Sequence, residues 1–424
     1  MVKVQHRGRV RPIRFIGRYL VIGVVGALLL SGRSALAQTL KDAVEAAWAR
    51  SPPGRSGEAR IQEADAKLDA ADRWFAEPPS ISLGQRKQRL ARNSGAREDE
   101  IELALPLHAW NARSTDQAIA TAERRYSDTQ RGYAKWLLAG EVREQYWNAH
   151  LALIDARIAT QRASAAALTA DDVARRVAAG ELALVDAHRA ASERDAAVIA
   201  VAESELKARQ AGQLFRQLTG LMIGREAAAE VDQSTASGGA GHRKQTTDDD
   251  HIAYRAQAGL ADIAQARYSQ AANVVRDPLE LTLTSTRERA DIGEPFRSTA
   301  RIGIRIPFAT SARNRPRIAE ASATRIEAQA ALTLARERIS ADIESAREAV
   351  LRWTALQPIA QRRERLARDA ATLVEKSFRL GEADLPTRLR ADGERFEAER
   401  GLERAKAELA RATSLHNQAL GLLP

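Results

Sequence analysis

The stretch that decides the fold is Glu100-Ile101-Glu102-Leu103-Ala104-Leu105-Pro106-Leu107. Apolar side chains take every second place, the period of a strand with one buried and one wet face. A proline then closes it and a very long helical pattern follows. The same order recurs downstream, where Arg301-Ile302-Gly303-Ile304-Arg305-Ile306 runs into Pro307. Pro106 and Pro307 are 201 positions apart, and the offset holds over most of the chain. Arg124 falls on Arg325, Gly180-Glu181 on Gly381-Glu382, and Leu184 on Leu385. Arg189-Ala190 falls on Arg390-Ala391, Glu193-Arg194 on Glu394-Arg395, and Gly220-Leu221 on Gly421-Leu422. Alanine and arginine matches arise by chance in so biased a sequence, but paired glycines and prolines at one ungapped offset mark a duplication.

Each repeat has one plan. Two alternating segments come first, Ser80–Leu83 with Glu100–Leu107, and Leu279–Thr284 with Arg301–Ile306. Polar, Gly-containing connections around 91–95 and 290–295 make each pair a hairpin. A long helical stretch follows, about 112–179 in the first repeat. Its seam carries Val142, Tyr146, Ala149, Leu153 and Ala156, and the counterpart Ile339, Ile343, Ala346, Val350 and Trp353. Such 3,4 spacing predicts coiled-coil packing, and a helix of that length extends on the order of 100 Å. Gly180 and Gly381 reverse the chain, and second helices return over about 182–220 and 383–420. Their seams are read at Val198, Ala202 and Leu206, and at Leu402, Ala405, Leu409 and Ala412. The domains expected are 1–37, a signal peptide; 38–230, the first repeat; 231–250, a linker rich in Ser, Gly and Asp; and 251–424, the second repeat. Residues 39–76 and 251–273 are helical lead-ins to the two hairpins.

Composition excludes several functions. There is no cysteine, so no disulfide, thiolate metal site or lipidated N-terminal cysteine. The net charge of +10 is concentrated in residues 1–37, which hold seven basic residues and no acidic one; 58 basic and 55 acidic residues remain beyond them. A mixed-charge surface with 4% aromatics is no footprint for nucleic acid. The basic start, the apolar run Tyr19–Leu30 and Ala35-Leu36-Ala37 before Gln38 read as an export signal cleaved between Ala37 and Gln38. No later segment is apolar for long enough to form a membrane helix, so any membrane crossing must use β-structure.

Four strands cannot close a barrel, which needs about eight at minimum. Their edges must pair with further copies: a dimer gives eight strands and a trimer twelve. Glu100, Glu102, Glu280, Thr282, Arg301 and Arg305 face away from the apolar side and suit a wet lumen. Two ordinary hairpins packed on a soluble helical domain are the plainer alternative. Trp74, Phe75, Trp110 and Phe308 lie near strand ends, where an aromatic belt or ordinary packing would use them. His108 is read as an interfacial residue at the barrel rim. Glu193, Glu394 and most other carboxylates are read as i,i+4 partners of arginine on helix faces. No pocket-forming carboxylate pair or other catalytic set is seen, so no enzyme activity and no cofactor are expected.

These residues resemble the TolC-type outer-membrane factor family. The resemblance rests on six features: Thr39–Pro52 as an opening amphipathic helix that ends in proline; Pro78–Leu83 as a first strand; Leu105-Pro106-Leu107 and Ile306-Pro307-Phe308 as strand-to-helix corners; Arg175–Gly180, continuing through Leu184 to Asp186, as one hairpin tip; Ser377–Gly381, continuing to Leu385, as the other; and the repeat. The family implies a mainly α fold with a small β part: a homotrimer with a twelve-stranded transmembrane barrel in outer-membrane lipid and a helical periplasmic tunnel. Its tip would meet a periplasmic adaptor and an inner-membrane pump. Asp250–Arg255 and the linker are most similar to the CzcC-like branch, which serves resistance-nodulation-division pumps for metal cations. Metal cations or drugs are thus the implied cargo. A protein-secretion duct and a periplasmic coiled-coil adaptor are the alternatives. The tip residues implied are Gly180, Asp186, Gly381, Asp384, Thr387, Arg388 and Arg390. The second tip departs from the family: Thr387 and Arg390 stand where acidic residues are common. Arg388 and Arg390 would either pair with Asp186 or Asp384 around a closed aperture, or be solvated helix-face charges.

Overall fold

The computed structural model describes residues 36–37, 39–87, 95–109, 111–224, 230, 248–274, 277–308 and 311–424. In chain order the elements are β1 (Leu36–Ala37), α1 (Leu40–Arg50), α2 (Pro52–Ala71), β2 (Ser80–Lys87), β3 (Arg97–Leu107), α3 (Ala112–Ala178), α4 (Leu184–Thr219) and β4 (Met222–Ile223). Then come α5 (Ile252–Asn273), β5 (Leu279–Arg289), β6 (Arg297–Arg305), α6 (Ser311–Arg379) and α7 (Leu385–Ala419). Most of the expected linker lies outside the described residues; Asp248–Asp250 form a short 3-10 turn ahead of α5. The expected export signal also lies outside them, except for Leu36 and Ala37. These two pair in parallel with Met222 and Ile223.

Local chemistry sets the helix ends. Thr39 and Asp42 form a capping box at α1, each side chain accepting the other's backbone N–H. Ser51 caps α2 ahead of Pro52, and Asp384 caps α7 by accepting from the Thr387 N–H at 3.0 Å. Gly180 (φ 78°) and Gly381 (φ 78°) terminate α3 and α6 in the left-handed region. The Gly180 N–H donates to Val177 O and Glu181 N–H to Arg176 O; Gly381 donates to Phe378 O and Glu382 to Ser377 O. Each bond in one hairpin has its counterpart 201 residues on, so the duplication extends to hydrogen bonding.

The sheet is fully antiparallel in the order β2-β3-β5-β6. Its register aligns Ile81, Leu103, Leu283 and Ile302 across the four strands, with Leu105, Leu281 and Ile304 in the next row. The opposite face aligns Ser82, Glu102, Thr284 and Arg301. The strands run further than the alternation predicts, because charged residues at the connection ends, such as Arg97 and Arg289, also pair.

The helices repeat this arrangement of four in a row. Next to the sheet the order is α2-α3-α5-α6, and towards the tips it is α4-α3-α7-α6. A core where α1, α3 and α4 meet is filled by Leu40, Val44, Val142, Tyr146, Trp147 and Phe215. Beside it the fully buried Arg143 donates to Gln418, to the Leu422 carbonyl at 3.1 Å and to Glu230 at 3.2 Å. This fastens the C-terminus of the second repeat to the first. Burial pushes the Arg143 pKa down, against the pull of Glu230.

One expected seam is displaced. Val198, Ala202 and Leu206 do not face α3; Val198 and Leu206 remain 55% and 52% exposed. Ala190, Ala197 and Phe215 are buried instead. Alanines let the two helices approach closely, and the larger apolar residues form a second stripe on the free side of α4. Among the described residues no helix is long and apolar enough to cross a membrane.

Candidate functional site: sheet faces and hairpin tips

The apolar face of the sheet is uncovered. Ile81 is 69% exposed, Leu83 77% and Ile302 73%. The polar face is the crowded one: Ala104 and Thr284 are buried, and Thr284 Oγ1 donates to Glu102 at 3.4 Å. A side chain larger than glycine at 303 would meet Thr282 Oγ1 at 2.7 Å. An isolated four-stranded sheet with its oily face outwards is unfavourable in water, since each aliphatic side chain left exposed forgoes about 1.5–3 kcal/mol. Among the described residues both edges, β2 and β6, also lack a neighbouring strand. Lipid on the apolar face and further strands at the edges would satisfy both demands.

The strand-to-helix corners lie at the helix-side end of the sheet. Pro106 sits opposite Glu280 in β3, and its carbonyl accepts from the Ala76 N–H at 2.9 Å. Pro307 follows the end of β6. Trp74, Phe75 and Phe308 are exposed beside these corners, and Phe75 bridges to Leu107. Trp110 lies outside the described residues. His108 Nε2 is 3.1 Å from the Arg73 carbonyl, and its Nδ1 is 3.9 Å from Asp116. That ties the α2–β2 connection to the start of α3, a link between elements that sequence spacing does not reveal.

At the other end the two hairpin tips pack on one another. Val173 and Ala190 from the first hairpin meet Phe378 and Leu385 from the second. Phe378 lies between Arg176 and Arg388, both 4.9 Å from its ring centroid, a cation–π pair spanning the hairpins. The Arg388 backbone N–H donates to the Asp384 carbonyl at 3.2 Å, but its guanidinium pairs with neither the Asp186 nor the Asp384 carboxylate. It donates to Thr169 Oγ1 at 3.3 Å and lies 3.8 Å from Asp172 and 4.0 Å from Asp392. Burial raises the Asp392 pKa, partly offset by Arg395 and Arg388. The reason is steric: position 388 is four residues past the α7 cap, on the face turned to α3. Asp384 is occupied as the cap, where the Thr387 hydroxyl and N–H hold its carboxyl below the usual range. Arg390 is exposed and acts on Asp384 through charge alone. Asp186 lies 3.8 Å from Arg189. Thr387 is exposed. The structure thus gathers Gly381, Asp384, Thr387 and Arg388 at one tip, with Gly180 and Asp186 on the other.

Not every helix-face carboxylate follows the i,i+4 expectation. Glu193 accepts from Arg162 of α3 at 2.6 Å, and Asp155 accepts from both Arg400 and Arg404 of α7. These are ties between helices, invisible to spacing within one helix. Among the described residues no group of three or more His, Asp or Glu side chains could hold a metal ion.

No protein-family model and no curated protein matches the sequence. Solved structures do match in fold. The outer membrane protein VceC of Vibrio cholerae aligns with TM-score 0.71 at 14% identity over 90% of this chain and 96% of its own. CusC, described for folding and transmembrane channel formation, aligns with TM-score 0.74 at 15% identity over 92% and 93%. The MtrE outer membrane channel of Neisseria gonorrhoeae, in its open state, gives 0.70 at 16% over 90% and 89%. From sheet to hairpin tips, the fold of this chain is that of the TolC-type outer-membrane channels.

Proposed function

We propose that this chain is the outer-membrane channel subunit of a tripartite efflux system, a passive duct for small solutes. The observation that carries the reading is the four-in-a-row order at three levels. Among the described residues β2-β3-β5-β6, α2-α3-α5-α6 and α4-α3-α7-α6 each leave two flanks free. One rotation of the chain that sets β6 against β2 of a neighbour also sets α6 against the neighbour's α2 and α4. Three copies give a twelve-stranded barrel continued by a twelve-helix tunnel, so the open edges vanish in a closed ring.

The free helix flanks carry the apolar surface such a ring needs. Ile359, Leu366 and Leu373 recur every seventh residue of α6, Leu380 continues the spacing just past its end, and all four are exposed. They sit about 140–160° round the helix from the neighbouring Ala371 and Phe378, which face inwards. On α4 the exposed Val185, Ile199 and Leu206 fall on a seven-residue grid as well. A helix with apolar seams on opposite sides is a member of a wall.

In this reading residues 1–37 direct export, the tips meet an adaptor and an inner-membrane pump of the resistance-nodulation-division type, and the cargo is a metal cation or a drug. The duct performs no covalent chemistry. Its test is the detergent-corrected mass of the protein extracted from outer membranes, with conductance in planar bilayers. Three subunits and a stable conductance are expected; a soluble monomer would sink the reading. Arg390 belongs to the aperture in this view, so Arg390→Glu should alter conductance or ion selectivity. Unchanged single-channel traces would remove Arg390 from that role.

A further inference from the structure

The two faces of the sheet differ in charge as well as polarity. On the lumen-side face both signs are mixed: the row Arg86, Glu98, Glu288, Arg297 sets two glutamates between two arginines, and Arg305 lies 3.5 Å from Glu280. On the apolar face the pattern breaks at the connection end. Lys87, Arg97 and Arg289 stand side by side in one register row on β2, β3 and β5. The next row places Gln85, Asp99 and Arg287 together. Among the described strand residues of this face, Asp99 is the one carboxylate against four cations. The connection 290–296 carries Asp291 and Glu294.

Like charges directly opposite on neighbouring strands are destabilising, and three in a row call for an anion. The guanidiniums are held ready for one. Arg287 and Arg289 lie over the Phe296 ring at 4.4 and 5.1 Å, an arrangement that leaves in-plane N–H donors free for oxyanions. Arg97 Nε is fixed by Asp99 at 3.1 Å and Arg289 Nε by the Gly95 carbonyl at 3.2 Å.

The depth of these rows points the same way. From Leu107 to Ile101 the apolar rows run about 20 Å along the strand. At the usual barrel tilt that is roughly 15 Å of membrane, short of the ~25 Å apolar band of such barrels. The cation rows therefore sit at the level of lipid head groups and cannot be clear of the membrane. The other end of the apolar band carries the aromatics Trp74, Phe75 and Phe308 and has no such row.

We infer that Lys87, Arg97, Arg287 and Arg289 form a binding belt for lipid phosphate, specifically for a head group bearing two phosphates in the leaflet at the connection end. Neighbouring strands are about 4.8 Å apart, so the three-cation row spans roughly 10 Å and matches two phosphates better than one. The inference rests on the barrel reading above.

The test uses the full-length protein purified from membranes and exchanged into neutral detergent. Native mass spectrometry would titrate in diphosphoryl lipid A and, separately, the same lipid with its phosphates removed. Preferential, salt-sensitive retention of the diphosphoryl form is expected, unaffected by millimolar inorganic phosphate. Replacing the four cations together (Lys87→Gln, Arg97→Gln, Arg287→Gln, Arg289→Gln) should weaken it by about a thousandfold, and Arg301→Gln on the opposite face should leave it unchanged. Equal binding of the two lipids by a wild-type trimer would overturn the belt alone and needs no variant. Displacement by inorganic phosphate would assign the cations to a soluble anion and overturn the lipid source. A wild-type chain that never trimerises would overturn both belt and barrel.

Discussion

His150 shows what burial does to a single residue. Its ring is enclosed beside Tyr146, with centroids 4.5 Å apart, and Trp147. Desolvation lowers its pKa to about 4, and no carboxylate opposes that. The folded chain therefore holds it neutral while the unfolded chain protonates it near pH 6.5. Its stabilising contribution is complete above the unfolded value and declines as pH falls towards 4, by on the order of 3 kcal/mol in total. Thermal melts of wild type and His150→Phe should diverge between pH 7 and pH 4.5, the variant losing less on acidification. Parallel curves would mean His150 does not titrate in the unfolding transition. None of this was legible in the sequence, where His150 is one histidine among seven. Arg388 teaches the same lesson: its residue type was visible, but its direction depends on the rotation of α7 against α3.

At the scale of the element, the glycine reversals were legible because their chemistry is local. Only a residue tolerant of positive φ ends α3 and α6 in this way, and the space around Gly180 and Gly381 is open. Substitution there costs backbone strain without a clash. Gly180→Ala and Gly381→Ala should each destabilise by about 1–2 kcal/mol, and denaturant midpoints should fall by similar amounts because the two turns share one bonding pattern. A neutral result at either would show that its hairpin tip adopts another turn. Strand alternation was legible for the same reason, period two being a property of the chain itself. The α4 seam was not. Two apolar stripes share that helix, and spacing cannot tell which of them faces α3.

For the whole molecule, the uncovered stripe on α6 is the feature to test. Leu366→Glu with Leu373→Glu places charges on a surface that the chain itself leaves exposed. The monomer fold should survive, since Ala371 and Phe378 on the inner side are untouched. Assembly should not, because withdrawing each leucine from a subunit interface costs roughly 1.5–3 kcal/mol and a charge is buried in its place. Analytical ultracentrifugation of the double variant should show monomers with native circular dichroism. A stable trimer would move the subunit interface off this stripe.

The sequence by itself determined the duplication, the four alternating strands, the two long hairpins and the places where they reverse. Those follow from periodicity, proline and glycine, which act within a few residues of where they stand. Only the tertiary structure decided the strand order β2-β3-β5-β6, the cross-repeat ties of Arg143 and Arg388, and which apolar stripe is spent inside the chain. Those depend on separate elements, some of them far apart in the chain, meeting at a given rotation, and side-chain pattern along one element does not encode the angle at which another arrives.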